Sequence, residues 1–289
     1  METLTLPDGR DLEVELSGPE GGPLLVFHHG TPGASGQLAE MARKVHERGH
    51  RLLTWSRAGY GASSRRPGRD VASETADVRA LLDHVGSDTC VVAGWSGGGP
   101  HALACGALLA DRVRAVLCIA GVAPYDAAGL DFLAGMGEEN LEEFGAALDG
   151  EQALRAYLDG QRQDLAEITG EQIVESMSTL LPPVDRAQVT GAFGDFLAAG
   201  FRQAVSVGVD GWLDDDLAFS RPWGFAVEDI GVPTYVWQGS DDLMVPFSHG
   251  RWLAARIPGV TAHLEDGEGH VSITLGAMDR MLDELVAHS

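Results

Sequence analysis

Cys90-Val-Val-Ala-Gly-Trp-Ser-Gly-Gly-Gly-Pro100 is the stretch from which the rest of this chain is read. Val91, Val92 and Ala93 have the character of a short buried strand, and His101 to Leu109 is small and apolar enough for a helix packed on a sheet. Gly-Trp-Ser-Gly-Gly is then a tight strand-to-helix turn, a nucleophile elbow. Gly94 and Gly98 allow the backbone to reverse without Cβ clashes, Ser96 stands at the tip with its Oγ exposed, and the following amides point at the same spot. The pentapeptide alone is a weak signal in a chain with 38 glycines. The strand before it and the helix after it give it weight.

A hydroxyl is a poor nucleophile, so Ser96 needs a base, a carboxylate to hold that base, and amides to receive an oxyanion. Two later segments supply the first two groups. Thr234 to Gln238 reads as a buried strand running into Gly-Ser-Asp-Asp-Leu-Met-Val-Pro246, and Val260 to Leu264 reads as the next strand, running into Glu-Asp-Gly-Glu-Gly-His270. An acid and a histidine therefore fall on loops after neighbouring strands. Near the N-terminus, the strand Leu24 to Phe27 runs into His28-His-Gly-Thr-Pro-Gly33, a glycine-proline turn.

With these three loops the chain resembles the α/β-hydrolase family, specifically its serine hydrolases with a helical cap, over nearly its whole length. The chain order Ser, Asp, His is the order in that family. The resemblance to Gly-x-x-Asp-x-x-x-Pro implies Asp242 as the acid, with Asp241 the competitor. A variant of the family with its acid one strand earlier would use Asp126. The Gly-His ending implies His270 as the base, leaving His84, His249, His263 and His288 as surface or structural residues. The oxyanion hole is expected from the amides of Gly97, next to the nucleophile, and of Thr31, by likeness to the family's His-Gly-x-Pro motif. His29 is expected to brace that loop. Ser56-Arg-Ala-Gly-Tyr-Gly-Ala-Ser63 resembles a further family motif in which many members have Asp at the position of Ser56, and it is expected to line the floor of the site.

The resemblance and the sequence pattern agree on organisation. A hairpin around Pro7-Asp-Gly9 opens the chain. Short apolar runs near 24–27, 51–55, 90–94, 113–119, 234–238 and 260–264 then alternate with helical patterns near 36–48, 72–85, 97–110, 249–256 and 273–287. That predicts an α/β fold with a mostly parallel central sheet flanked by helices. Between about 124 and 227 the chain turns helical and strand-poor, where the family inserts its cap after the sixth core strand. The expected division is a core of residues 1–123 and 228–289 with a cap of 124–227. Within the cap, Met177, Phe193, Phe196, Phe201, Trp212, Phe219 and Trp223 form an aromatic-rich set; most are expected to pack the cap on itself and a minority to face the cleft. Trp95, Phe196 and Trp212 are the candidate substrate contacts.

Composition narrows the function. The chain has 289 residues, 44% of them hydrophobic, enough for one α/β core with an insertion. No run approaches the length of a membrane helix, and the N-terminus lacks a basic segment followed by an apolar one, so a cytoplasmic protein is expected. Cys90, Cys105 and Cys118 read as buried thiols, and no metal-ligand spacing occurs. The formal charge is −23, and Pro124 to Val227 holds 19 Asp and Glu against five Arg, a balance of −14. Nucleic acid is excluded as a partner on electrostatic grounds, and a small-molecule substrate is expected without a cofactor.

By resemblance the expected activity is hydrolysis of carboxylic esters or related acyl compounds. Three other activities share the fold: a proline iminopeptidase-like aminopeptidase that binds a substrate ammonium with cap acids, a carbon–carbon bond hydrolase, and a small-molecule receptor without turnover. Ser96 weighs against haloalkane dehalogenases and epoxide hydrolases, whose relatives carry Asp there.

Overall fold

The computed structural model describes all 289 residues. Its core runs β1 (Glu2–Thr5), β2 (Asp11–Ser17), β3 (Leu24–His28), α1 (Ala39–Glu47), β4 (Arg51–Trp55), α2 (Glu74–His84), β5 (Cys90–Trp95), α3 (Gly98–Leu108) and β6 (Val113–Ile119). Six helices follow without a strand: α4 (Glu138–Asp149), α5 (Glu151–Glu167), α6 (Ile173–Ser176), α7 (Pro183–Arg186), α8 (Gly191–Ala204) and α9 (Asp210–Phe219). The core resumes with β7 (Thr234–Gly239), α10 (Phe247–Arg256), β8 (Thr261–Glu265), α11 (Ser272–Gly276) and α12 (Met278–Val286).

The strands form one eight-stranded sheet in the order β1-β2-β4-β3-β5-β6-β7-β8. Only the first two pairings, β1 with β2 and β2 with β4, are antiparallel; the rest are parallel. Strand alternation sends successive side chains to opposite faces, and apolar residues occupy both. Leu24, Val26, Val92, Val116, Cys118 and Val236 pack with α2, α3 and α10 on one face. Leu25, Val91, Ala93, Ala115, Leu117 and Trp237 pack with α1 and α12 on the other. The result is a helix–sheet–helix sandwich whose apolar strand runs are continuous because neither face meets water. Cys90, Cys105 and Cys118 are buried free thiols, and burial pushes Cys90 and Cys118 up to about 12.

Parallel strands all end at the same edge of the sheet, so the loops after β3, β5, β7 and β8 gather there, under the α4–α9 insertion. The insertion has its own apolar clusters, one around Leu154, Leu158, Leu213 and Trp212 and one around Ile173, Leu181, Val189 and Phe193. The second of these also contains Val271 of the loop after β8, so the insertion and the core share buried contacts at the edge that carries the candidate residues. No helix is long and apolar enough to cross a membrane.

Candidate active site

Ser96 follows β5 directly and has φ 56°, the left-handed region that costs a non-glycine residue conformational energy. The elbow glycines act as expected, by removing Cβ clashes at the turn. Gly94 and Gly98 do not hold the left-handed conformation; Ser96 itself does. The glycines are required by close approach: a Cβ on Gly94 would overlap the Gly98 carbonyl, and one on Gly98 would overlap the carbonyl of His28 at the end of β3. The strained turn is held by the Ser96 amide donating to the Ile119 carbonyl at 2.9 Å and the Gly99 amide donating to the Ser96 carbonyl at 2.8 Å.

Asp242 and His270, from the loops after β7 and β8, meet beside this turn. His270 Nδ1 lies 2.8 Å from Asp242 Oδ2, and both residues are buried. Asp242 is fully occupied as an acceptor. Its Oδ1 takes the amides of Met244 and Val245 at 2.9 and 2.8 Å, and Gln238 Nε2 donates to Oδ2 at 2.9 Å. Four donors around one carboxylate fix its orientation. Burial alone would lower the His270 pKa, but the charge and hydrogen bond of Asp242, with Asp185 beyond it, more than offset this and hold it above the ordinary histidine value. His270 Nε2 has no hydrogen-bond partner, and His270 and Ser96 line the same cavity. Asp241 is exposed and accepts only from the neighbouring Ser240 hydroxyl, and Asp126 is exposed with no link to His270.

On the other side of Ser96 the loop after β3 comes close to the elbow. A Cβ on Gly97 would lie 3.2 Å from the Thr31 nitrogen and overlap the Thr31 side chain. Thr31 and Gly97 are thus in close contact beside Ser96, and neither amide donates a hydrogen bond within the protein. Two free N–H groups beside a strained serine can receive a developing oxyanion.

The position of Thr31 is set by residues that sequence reasoning did not single out. Asp215 of α9 is completely buried; its Oδ2 accepts from Thr31 Oγ1 at 2.7 Å, Arg57 Nη2 at 2.6 Å and the Tyr60 hydroxyl at 2.9 Å. Arg57, also completely buried, donates to the carbonyls of His29 and Gly30 at 2.5 and 3.1 Å. Arg69 Nη1 lies 2.6 Å from Asp215 Oδ1. Burial opposes the charge on Asp215, but Arg57 and Arg69 win and hold its carboxyl well below the usual range. His29 joins the loop by Nδ1 to the Gly30 carbonyl and by Nε2 accepting from the Arg57 amide. The Ser56–Ser63 segment is therefore not the floor of the site. None of its residues lines either cavity described below; it lies one layer out and supplies Arg57 and Tyr60 to the buried network. The only sequence signal was an arginine inside a glycine-rich turn after an apolar strand. Replacing Asp215 by alanine leaves two buried guanidinium groups without their counter-charge. Loss of about 3–5 kcal/mol of stability is expected, measured by denaturant midpoint, and an unchanged midpoint contradicts the network's role.

The other histidines are structural. His249 accepts from the Ala123 amide and bonds the Phe132 carbonyl, His263 stacks on Trp237, and His288 meets the Tyr235 hydroxyl. His84 is exposed, near Glu2. No group of three or more His, Cys, Asp or Glu side chains is arranged to hold a metal ion.

Two cavities flank Ser96. One, of about 110 Å³, is largely apolar and lined by Trp95, Met177, Phe193, Phe196 and Phe201 together with His270. The other, of about 260 Å³, contains Gly97, Trp212 and Phe219 with four acids, Glu139, Glu143, Asp164 and Asp216. Most of the insertion's aromatic set faces these cavities, where a minority was expected. Trp223 alone of that set lines neither and packs in the core cluster on the α2–α3 face. The reason is the size of the cleft: helices α6, α8 and α9 all turn apolar residues toward the sheet edge, and the two cavities take up that surface.

Comparison with known proteins agrees with this architecture. A family model described as alpha/beta hydrolase fold matches residues 23–277. The chain belongs to the α/β-hydrolase fold family. A non-heme chloroperoxidase of Streptomyces lividans is 26% identical, covering 86% of this chain and 84% of that protein. A bifunctional esterase/perhydrolase of Acinetobacter calcoaceticus is likewise 26% identical, with 86% and 84% covered. Among solved structures, a thermophilic esterase from Thermogutta terrifontis superposes with TM-score 0.67 at 18% identity, over 100% of this chain and 99% of that one. At that identity it is the α/β-hydrolase fold that is shared.

Proposed function

We propose that this α/β-hydrolase is a serine hydrolase of carboxylic esters or related acyl compounds. The observation that carries the reading is the Asp242–His270 pair at 2.8 Å with a free Nε2, on the cavity that also exposes the strained Ser96. Ser96 Oγ attacks the carbonyl carbon while His270 Nε2 takes its proton, and Asp242 orients the ring and stabilises the imidazolium. The amides of Thr31 and Gly97 hold the oxyanion. His270 then protonates the leaving alcohol, and water, deprotonated by the same nitrogen, releases the acyl group from Ser96. The apolar cavity beside His270 takes the leaving group, since that is the nitrogen that protonates it. Turnover of chromogenic esters of short to medium chain, absent in Ser96→Ala, is the expected result. Binding without turnover by the wild-type chain defeats the reading in favour of a receptor.

The acidity of the insertion gives a second expectation. A balance of −14 over Pro124–Val227 sets a negative field over an apolar cleft, so a carboxylate near the scissile bond meets repulsion as it loses water. Neutral esters are preferred at low salt. Screening over a Debye length of about 8 Å raises kcat/KM for the anionic ester at higher salt while its neutral isostere changes little. An anionic ester that is the better substrate at low salt contradicts this and favours the carbon–carbon hydrolase reading.

One observation favours the aminopeptidase-like reading as the alternative. Asp216, 1% exposed, lines the acidic cavity with an unpartnered Oδ2, and Glu139 Oε2 there is unpartnered as well. Burial pushes the carboxyls of Asp216 and its hydrogen-bonded neighbour Glu143 upward. A substrate ammonium would satisfy both carboxylates. Faster hydrolysis of aminoacyl arylamides than of their N-acetylated counterparts favours this alternative, and the reverse order the simple esterase.

A further inference from the structure

The loop that carries His270 is held from outside the core. Asp185 belongs to α7 of the insertion and is completely buried. Its Oδ2 accepts the His270 amide at 2.8 Å, and its Oδ1 accepts the amides of Val271 and Ser272 at 3.0 and 2.8 Å, across about 85 residues of sequence. No Arg or Lys pairs with it; the three amides are its compensation, as burial of a carboxylate requires. The fit is close on both sides. Gly269 is glycine because a Cβ there would overlap the Asp185 carboxylate, which gives the Gly-His pair a steric cause. On its own element Asp185 is held firmly: Pro182 and Pro183 precede it, its amide donates to the Pro182 carbonyl at 3.0 Å, and Arg186 Nε ties the turn to the Leu181 carbonyl at 2.8 Å. Val271 packs into the apolar cluster of Ile173, Leu181 and Val189, so the same insertion grips both backbone and side chain next to His270.

We propose that Asp185 is a positioning residue for His270, supplied by the helical insertion to fix the backbone of the base and to add a second negative charge close to it. The proposal rests on the reading of His270 as the base of Ser96. The titratable groups bearing on His270 are Asp242, from the loop after β7, and Asp185, from α7, and both favour its protonated form. Seating of the insertion and assembly of the base are therefore one event, because α7 cannot leave without releasing three amides.

The sign of the expected effect follows from the charge. In Asp185→Asn one acceptor oxygen becomes an NH₂ that faces an amide donor, and the negative charge is lost. The ring loses its placement, and its protonated form loses a stabilising partner. We expect kcat to fall by about 10²-fold, the scale of a roughly 1 Å misplacement, with KM little changed. The His270 pKa falls as well, so the acid limb of kcat/KM moves to lower pH. The nuclear magnetic resonance titration of the His270 ring reads the same shift without relying on turnover. Asp210→Asn is the comparison: it removes the ion pairs of Asp210 with Arg65 and Arg155 on the outside of the insertion and is expected to leave the His270 titration in place. If Asp185→Asn does not fold, Gly269→Ala displaces the carboxylate from the amides while keeping its charge. It should lower kcat without the shift of the acid limb.

The wild-type chain is first treated with a fluorophosphonate. No adduct on Ser96 defeats the serine hydrolase reading itself. With that adduct present, an Asp185→Asn protein whose His270 titration and kcat match wild type overturns the proposal, as does a Gly269→Ala protein of full kcat. An equal shift of the His270 titration in Asp210→Asn overturns it too.

Discussion

Ser96→Ala is expected to abolish both ester turnover and covalent labelling. A fluorophosphonate should leave one adduct on the wild-type chain, at Ser96, and none on Ser96→Ala. His270→Ala should fail to label on the same timescale, although its serine is intact. The reason lies in the turn. At φ 56° Ser96 is held in a conformation that its neighbours enforce, but a neutral hydroxyl remains unreactive until a base removes its proton. In the proposed mechanism His270 Nε2, which has no other hydrogen-bond partner, is that base. Loss of either residue should cost on the order of 10⁶ in kcat, the scale for removal of serine or histidine from a serine protease, and removal of both should cost little more. Equal labelling of the wild-type and His270→Ala proteins would show a serine that reacts without this histidine.

The parts of this site that were legible in the sequence are those whose backbone geometry demands particular residues nearby. Gly94 and Gly98 flank Ser96 because strands β3 and β5 and helix α3 crowd together at the turn, and a Cβ at either position meets a carbonyl. Gly239, three residues before Asp242, is likewise imposed by the backbone of Glu268 and Gly269 on the next loop. Such constraints write short motifs, and the two-faced apolar strands around them write the α/β alternation. The order of the strands in the sheet was not legible, since no local pattern says that β3 lies between β4 and β5.

Residues that act across long sequence separations left no such trace. Asp215 reaches Thr31 across 184 residues and Asp185 reaches His270 across 85. Each is one acid among the many of an acidic insertion, where composition gives no reason to prefer it to its exposed neighbours. Arg57 was hidden differently. It stands in a loop whose likeness to a family motif drew attention to Ser56, while the structure gives the adjacent guanidinium the task of holding the loop after β3. Aromatic residues of the insertion were legible as a set but not by direction, because helical spacing does not tell a cleft-facing side from a core-facing one when both are apolar.

Asp242→Asn is expected to lower kcat by about 10⁴-fold, the scale for the same exchange in a serine protease, with the fold retained. The hydrogen bonds around the carboxylate explain why so small a change costs so much. Asp242 accepts from four donors: the Met244 and Val245 amides, Gln238 Nε2 and His270 Nδ1. An asparagine has one acceptor oxygen for two pairs of donors. If that oxygen keeps the two amides, its NH₂ faces Gln238 and His270, and the imidazole must present a bare Nδ1 and carry its proton on Nε2, the nitrogen that has to accept the proton of Ser96. If the amide turns over, the NH₂ opposes the Met244 and Val245 amides and the loop after β7 shifts. The first arrangement removes the base, the second shifts the loop that holds it, and both lose the charge that raised the His270 pKa. The residual activity should therefore have its acid limb at lower pH than the wild-type enzyme. Asp241→Asn is the control within the same loop; the Asp241 carboxylate is exposed and engages only Ser240, so kcat should stay within a few-fold of wild type. The reverse ranking of the two variants would assign the acid to Asp241, and small effects from both would send the search to Asp126.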